Sequence, residues 1–417
     1  MKKHILRGMV CLGLIGAALF SLASCALHTR AEELSARYTR KTSETGEVTD
    51  EAFRRAAATF ALSLFRESGG VENRLLSPTS ALLCFAMLAN GTAGTTRAET
   101  EAALGIGLGE LNPALYAYAE LLRAAGCVGN ASSMWIRDDD RLTVEPSFLQ
   151  KNADFFAADV YRAAFDKSTV RDINRWVKDR TDGRIKHLLD DLTAENMLCL
   201  INALTFDAKW QSPYSEKANR KKGIFTNADG TESDVTYLVS SEWLYLAAEG
   251  LQGFMKPYAG GKYRFVALLP DEGRTTAETA AALDGDAWLA LLAGASGEKV
   301  LTRTPAFEMS ARVSLVDALR TMGFSEIFDE NRADLSAMGH YGDMGLYCSA
   351  MWQDVTLRLD ADGTKAAAAT ISMIDKCTSA GPDETPPHEV YLTRPFLYAI
   401  VDAETGLPLF FGTVDRL

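Results

Sequence analysis

The side chains that could do catalytic chemistry in this chain of 417 residues are few, and their spacing sets most of them aside. Of the five histidines, His4 and His28 lie close to the N-terminus. His187, His340 and His388 are far apart, with no HExxH and no pair at helical spacing, so no metal site is expected. The GxSxG turn that presents a nucleophilic serine does not occur. Gly260-Gly261-Lys262 lacks the upstream glycine of a phosphate loop. Gly105, Gly107 and Gly109 alternate, but a dinucleotide fingerprint needs glycine where Glu110 stands, so a helix-ending turn fits them better. Asp138-Asp139-Asp140 and Asp190-Asp191 could supply a carboxylate pair, yet both read as acidic turns on a solvated surface. Seven cysteines without a CxxC are too few for a disulfide scaffold. No catalytic constellation and no cofactor site is expected, and the chain reads as a protein that is not an enzyme.

One segment fits no catalytic role but has a chemistry of its own. Residues 361–388 read ADGTKAAAATISMIDKCTSAGPDETPPH. The second half, with Pro382, Pro386 and Pro387, is turn-forming and acidic and cannot be core. The first half could be a short alanine helix running into a surface loop, since alanine is the best helix former. Counted with a period of two, Thr364, Ala366, Ala368, Thr370, Ser372 and Ile374 share one face and none is charged, while Lys365 and Asp375 fall on the other. Such a segment could slip as a strand between two existing strands, where the inner face must be small and neutral because burying a charge costs several kcal/mol.

The elements that must carry this segment follow from composition and periodicity. A hydrophobic fraction of 47% and a charged fraction of 24% are ordinary for a globular chain and exclude collagen-like or wholly disordered readings. The net charge of −12 makes nucleic acid a poor partner. Phe53, Ala57, Phe60, Ala61 and Leu64 recur at helical spacing. Ser80 to Asn90 is apolar all round and reads as a buried helix, Thr96 to Leu104 starts another, and Asp172 to Lys178 continues the helical style. Leu198 to Phe206 reads as a central strand buried on both faces. Tyr263 to Leu269 ends in Pro270, and Val355, Leu357 and Leu359 alternate with Thr356, Arg358 and Asp360, as strands do. Helices in the first half and strands in the second predict an α+β fold. With no repeat and no linker between Asp50 and Leu417, residues 50–417 are expected to form a single large domain.

The N-terminus reads as an address. Lys2, Lys3 and Arg7 precede an apolar stretch from Gly8 to Phe20, too short for the roughly 20 residues that span a bilayer. Leu22-Ala23-Ser24-Cys25 resembles a bacterial lipobox. That resemblance implies a lipoprotein signal peptide over 1–24, cleavage before Cys25, and lipidation of its thiol, with removal of three bases taking the net charge from −12 to −15. Residues 25–49, polar and charge-balanced, are expected to be the lipidated cysteine and a flexible tether. The expected place is the extracellular face of a bacterial membrane.

Spaced motifs through the whole folded part resemble the serpin family. Gly363-Thr364-Lys365-Ala366-Ala367-Ala368-Ala369-Thr370 is similar to the hinge of inhibitory serpins. Asn73, Ser77, Pro78 and Ser80 match the family's NxxxSPxS start of a buried helix, and Leu88 to Gly91 and Thr100 to Gly105 follow it. Asn174, Trp176 and Val177, then Thr181, Gly183 and Ile185, match its NxWVxxxTxGxI. Asn202, Phe206 and Trp210 stand where its third central strand has these types. Thr304 to Glu308, Ala333 to Ser336 and Arg394-Pro395-Phe396 complete the set.

The resemblance implies a serpin fold: a large central, mostly antiparallel sheet, further sheets, about nine helices and an exposed reactive centre loop over about 362–390. It implies a monomeric inhibitor of serine proteases that forms a covalent acyl-enzyme complex and traps it by inserting the cleaved loop into the sheet, strain release of the kind strand insertion provides. By the family's spacing the cut bond joins Cys377 and Thr378, which suits an elastase-like or subtilisin-like protease. Lys376, one residue earlier, would suit a trypsin-like one. A non-inhibitory serpin acting as a binding module is the other reading. Asn73, Ser77, Pro78, Ser80, Asn202, Trp210 and Gln353 are implied as core support and sheet-opening residues. Ala361 stands where the family carries an acid, which removes an ion pair at the top of the sheet. Gln353 stands where many members have histidine, with its amide expected to face the region of Asn202.

Overall fold

The computed structural model describes residues 30–417 except 71, 182, 184, 186, 193–195, 215–218 and 365–385, and the backbone alone at Asn130 and Asn202. Strands and helices are numbered in chain order. Nine α-helices occur among the described residues: α1 (Glu51–Glu67), α2 (Pro78–Ala89), α3 (Gly94–Leu104), α4 (Leu108–Ala124), α5 (Pro146–Phe155), α6 (Lys167–Arg180), α7 (Thr276–Ala282), α8 (Gly285–Ala293) and α9 (Val316–Thr321).

Local chemistry sets their ends. The Asp50 carboxylate accepts from the Phe53 N–H at the start of α1, and Asp166 accepts from Ser168 and Thr169 at the start of α6. Pro78 opens α2, where its missing N–H costs nothing, and all twelve residues of that helix are buried. Gly105 ends α3 at φ 70°, a left-handed cap that favours glycine.

The rear sheet runs β10 (Tyr245–Ala248), β11 (Leu251–Pro257), β12 (Tyr263–Pro270), β19 (Phe396–Asp402), β20 (Pro408–Val414) and β2 (Leu75–Leu76), antiparallel throughout. Every residue of β19 and β20 is buried, because helices cover one face and the front sheet the other. An upper sheet runs β18 (His388–Tyr391), β13 (Val300–Pro305), β9 (Glu232–Glu242) and β8 (Arg220–Thr226). The ribbon β4 (Leu142–Val144) and β15 (Gly339–Tyr341) pairs at one side.

The front sheet comes in two halves. One runs β1 (Glu32–Glu33), β5 (Asp159–Ala163), β3 (Val128–Arg137) and β6 (Leu198–Phe206). The other runs β14 (Phe307–Ser314), β16 (Trp352–Leu359), β17 (Gly363–Thr364) and β7 (Ala208–Lys209). Because β7 continues β6 past Asp207, the halves join at the top through β17. Below that junction β6 is the last strand of its half, and β16 has β14 on its other side. The strand expected over Leu198 to Phe206 is thus present, but at the margin of a division rather than in the middle of a continuous sheet.

Helix α6 lies over the first half on a small apolar cluster of its own, with Trp135, Tyr161, Ile173, Trp176 and Ile201. Trp135 and Tyr161 stack at 4.4 Å, and the Trp176 indole N–H donates to Asp159 at 2.8 Å.

The expected flexible tether is corrected by the structure from Arg30 onward. Glu32 and Glu33 pair antiparallel with Arg162 and Tyr161, adding a strand to the edge of β5. Leu34 and Tyr38 pack against the core, and the Arg40 guanidinium lies 3.9 Å from the Tyr116 ring centre while donating to the Asp154 carbonyl at 3.0 Å. A sheet edge offers unpaired backbone groups that any extended segment can take up, so polar composition alone did not predict a free chain.

Candidate functional site

The site begins where β16 ends. Asp360 folds the chain over by accepting from the N–H groups of Asp362 at 2.9 Å and Gly363 at 3.3 Å. The turn sends Gly363 and Thr364 back between β16 and β7, paired with Leu359 on one side and with Lys209 and Ala208 on the other. Only glycine fits there, since a Cβ at Gly363 would sit 2.1 Å from the Ala208 carbonyl oxygen.

Thr364 is 1% exposed, and its hydroxyl shares a hydrogen bond of 2.6 Å with that of Tyr258. Burial pushes the Tyr258 phenol well above its ordinary value, so it remains a neutral partner. The Tyr258 ring stacks on Trp210 at 4.5 Å. The Trp210 indole N–H donates to the Asp360 carbonyl at 2.9 Å, its backbone N–H to Asp362 at 3.0 Å, and the Tyr214 N–H to Ala361 at 3.1 Å. Gly363 and Thr364 therefore already form two residues of a strand, held by aromatic rings, by three backbone carbonyls and by two backbone amides.

Beneath Thr364 the gap between β6 and β16 continues as a cavity of about 750 Å3 lined by Leu204, Phe206, Leu357, Ala361, Thr364 and Phe410. A second space of about 260 Å3 lies lower in the same division, between Leu198, Leu200 and Trp352. Arg312 bridges its mouth, bound to Asp354 at 3.0 Å and Asp190 at 3.2 Å, with Asp190 also 2.6 Å from His187. Those contacts hold the Asp190 carboxyl below its ordinary range, the His187 hydrogen bond more than the Arg312 one.

Level with the lower space, the Gln353 amide spans β16 and the start of α2. It accepts from the Ser77 N–H and donates to the Ser77 carbonyl, both at 2.8 Å. The expected direction toward Asn202 is thus replaced by a two-point grip on Ser77, because a primary amide matches the N–H and C=O of one backbone residue. The backbone of Asn202 pairs with Ser132 in β3; its side chain is outside the described residues. Ser77 also donates its hydroxyl to Leu409 at 2.7 Å, Asn73 accepts from Asp415 at 2.7 Å and Arg416 at 2.8 Å, and Pro78 and Ser80 are buried beside them.

The structure therefore brings Ser77, Pro78, Ser80 and Gln353 together at the start of α2, holds Asn73 apart from them at the end of β20, and brings Trp210, Gly363 and Thr364 together at the top. Lys365, Ala366, Ala367, Ala368, Ala369, Thr370, Lys376, Cys377, Thr378 and Cys25 lie outside the described residues.

A buried ion pair went unread in the sequence. Lys256 Nζ and Glu242 stand 2.7 Å apart at 2% and 7% side-chain exposure, and the ammonium lies 4.6 Å from the Tyr214 ring centre and 5.5 Å from that of Trp210. The pair fastens β9 of the upper sheet to β11 of the rear sheet beside Trp210 and Tyr214. A lone lysine in a strand reads as a solvent-facing residue, so the only available signal was its place two residues before Tyr258.

Cys84, Cys127, Cys199 and Cys348 are free thiols, and burial pushes Cys199 and Cys348 up to about 12, which leaves them unreactive. Among the described residues no group of three His, Cys, Asp or Glu could hold a metal ion, and no helix is long and apolar enough to cross a membrane.

Comparison with known proteins bears on this geometry. Residues 55–416 match the family model described as serpin (serine protease inhibitor). Serpin B8 of Bos taurus is 27% identical over 380 residues, covering 87% of this chain and 98% of the relative. Plasminogen activator inhibitor 1 of Neovison vison is 27% identical over 439 residues, covering 97% and 98%. Among solved structures, the thermophilic serpin tengpin in its native state superposes with a TM-score of 0.86 at 37% identity, covering 93% of this chain and 100% of that one. Tengpin in its latent state gives 0.78 at 35% identity, with 89% and 99% covered.

Proposed function

The chain belongs to the serpin family, and from that premise we propose that it inhibits serine proteases as a monomeric suicide substrate. The attacking serine oxygen of the protease adds to the Cys377 carbonyl carbon. The bond to the Thr378 nitrogen breaks, that nitrogen leaves as an amine with a proton from the protease histidine, and the Cys377 acyl group stays on the serine as an ester. All of this chemistry is the protease's own. The inhibitor's part is to draw Lys365 onward into the front sheet before water reaches the ester.

The observation that carries this reading is the hinge root. Thr364 is buried, uncharged and already paired on both sides, and the cavity of about 750 Å3 lies directly below it along the division between β6 and β16. A strand entering there extends a ladder that has been started, so each added residue gains backbone partners without a new nucleation cost. Ala361, 3% exposed, leaves the entrance without the family's acid and eases insertion. The small hydrophobic character of Cys377 favours elastase-like or subtilisin-like targets.

We also place the inhibitor outside the cell, carried by a lipid on Cys25, on the strength of the lipobox resemblance. A single acyl group holds a protein only marginally, whereas the diacylglycerol of a lipobox cysteine supplies two chains.

The test is incubation of the purified protein with elastase, subtilisin and trypsin followed by denaturing electrophoresis. An SDS-stable covalent complex with at least one of them is expected, and mass spectrometry of the released C-terminal peptide should begin it at Thr378. A peptide beginning at Cys377 assigns the bond to Lys376 and a trypsin-like target. Clean cleavage with full turnover by all three proteases would sink the inhibitory reading in favour of a binding module.

A further inference from the structure

Helix α6 carries a charge pattern that the trap does not use. Lys167, Arg171, Arg175 and Lys178 are all exposed. At 100° per residue they fall within an arc of about 80° centred on the outward pole of the helix. Val170, Asp172, Ile173, Trp176 and Val177 form the buried face opposite. Asp179 is the one exposed acid within the helix, at the margin of the stripe. In a chain of net charge −12 this single-sign face stands apart, since a merely solvated helix surface intersperses both signs, as Glu51 and Arg55 do on α1.

The docked N-terminal strap places this face. The Arg30 N–H donates to the Asp172 carboxylate of α6 at 2.8 Å, and the strap then runs along β5. Arg37, 81% exposed, and Arg162 lie on that flank, together with Glu32, which contacts both, and Glu33. Cys25 is five residues before Arg30, so its sulfur is at most roughly 18 Å of chain from that contact. A free tether to Asp50 would have allowed about 85 Å and every orientation. With the strap docked, the flank of the molecule that carries α6 is the part held nearest the bilayer.

We propose that the outward face of α6 is a docking surface for anionic phospholipid headgroups. The inference rests on the lipid-anchor reading for its choice of a membrane over other polyanions. The lipid on Cys25 supplies proximity, and the four bases supply attraction and orientation, because a basic patch and an acyl anchor reinforce one another. The inhibitor then lies with α6 toward the membrane instead of swinging on a loose string.

Vesicle co-sedimentation tests the stripe without the lipid. The chain from residue 25 onward, carrying Cys25→Ser, is mixed with vesicles of phosphatidylcholine alone and of phosphatidylcholine with phosphatidylglycerol. Binding to the anionic vesicles only is expected, falling as salt shortens the screening length. Lys167→Glu with Lys178→Glu should weaken partition by more than tenfold, from about fivefold for each charge lost near the surface. Lys221→Glu with Lys222→Glu on β8 makes the same change in net charge on another exposed face and should leave partition within twofold. An unchanged urea midpoint for both pairs shows that folding is not the cause.

Equal binding to both vesicle types, or equal loss in the two charge-reversed variants, overturns the proposal. So does retention on an immobilised sulfated polysaccharide without vesicle partition, which would assign the stripe to another partner. Metabolic labelling with palmitate reports separately on the anchor: an unlabelled Cys25 overturns that reading, while the vesicles still decide the stripe.

Discussion

The rear sheet and the front sheet lie back to back and share a core, yet they solve opposite problems. In the rear sheet β10, β11, β12, β19, β20 and β2 pair edge to edge in one antiparallel series, and β19 and β20 are buried at every position. In the front sheet β6 and β16 face a division with space for about 750 Å3 at its upper part. Buried apolar side chains contribute about 1.5–3 kcal/mol each, so the closed rear sheet supplies cohesion and uniqueness. The front sheet retains unspent strand pairing. A fold can hold a missing strand only if the rest is stable without it, and here the helices α1 and α2 and the rear sheet provide that support.

The largest expected effect falls where the two sheets' roles meet. Thr364→Arg puts a charge at a position 1% exposed, against Tyr258, and should abolish the SDS-stable complex while the protease still cuts the loop. Retained trapping would break the distinction between the sheets, because insertion could not then begin at this residue.

Next comes the ion pair that ties the closed part together. Lys256→Met leaves Glu242 buried and unpaired and should lower stability by about 3–5 kcal/mol in urea titrations. Lys256→Met with Glu242→Leu should recover most of that loss. If the double variant is as unstable as the single one, the pair is more than a paired charge in the rear half.

The smallest change sharpens the boundary at mid-height. Gln353→Ala strands the Ser77 N–H and carbonyl and should cost about 1–3 kcal/mol in the same titration. No change in midpoint for Gln353→Ala would mean that water replaces the amide and that β16 is not fastened to α2.

Much of this architecture was legible before any coordinates. Ser80 to Asn90 is apolar at every position that matters, and a helix without a polar face has nowhere to lie but inside. Val355, Leu357 and Leu359 alternate with polar residues, and β16 buries that same alternation. Gly363 and Thr364 are strand residues, and the close approach to Ala208 supplies the reason for the glycine. The strap was misread because two glutamates have low strand propensity; the open edge of β5, not their own preference, makes them a strand. Lys256 and Glu242 were unreadable because they are paired across elements 14 residues apart in sequence that belong to different sheets. The direction of Gln353 was misjudged for a similar reason, since Ser77 lies 276 residues away.

The sequence by itself determined what depends on local pattern: which segments are helix or strand, which faces are buried, and the family these motifs resemble. Periodicity and turn chemistry are properties of neighbours along the chain, and they survive without a fold. Tertiary structure alone decided where the front sheet divides, how Gly363 and Thr364 pair within it, which partner each buried polar group took, and which flank the N-terminal strap holds. Those are matters of long-range pairing, where a backbone edge or a buried charge takes whatever complementary group the completed fold brings within reach.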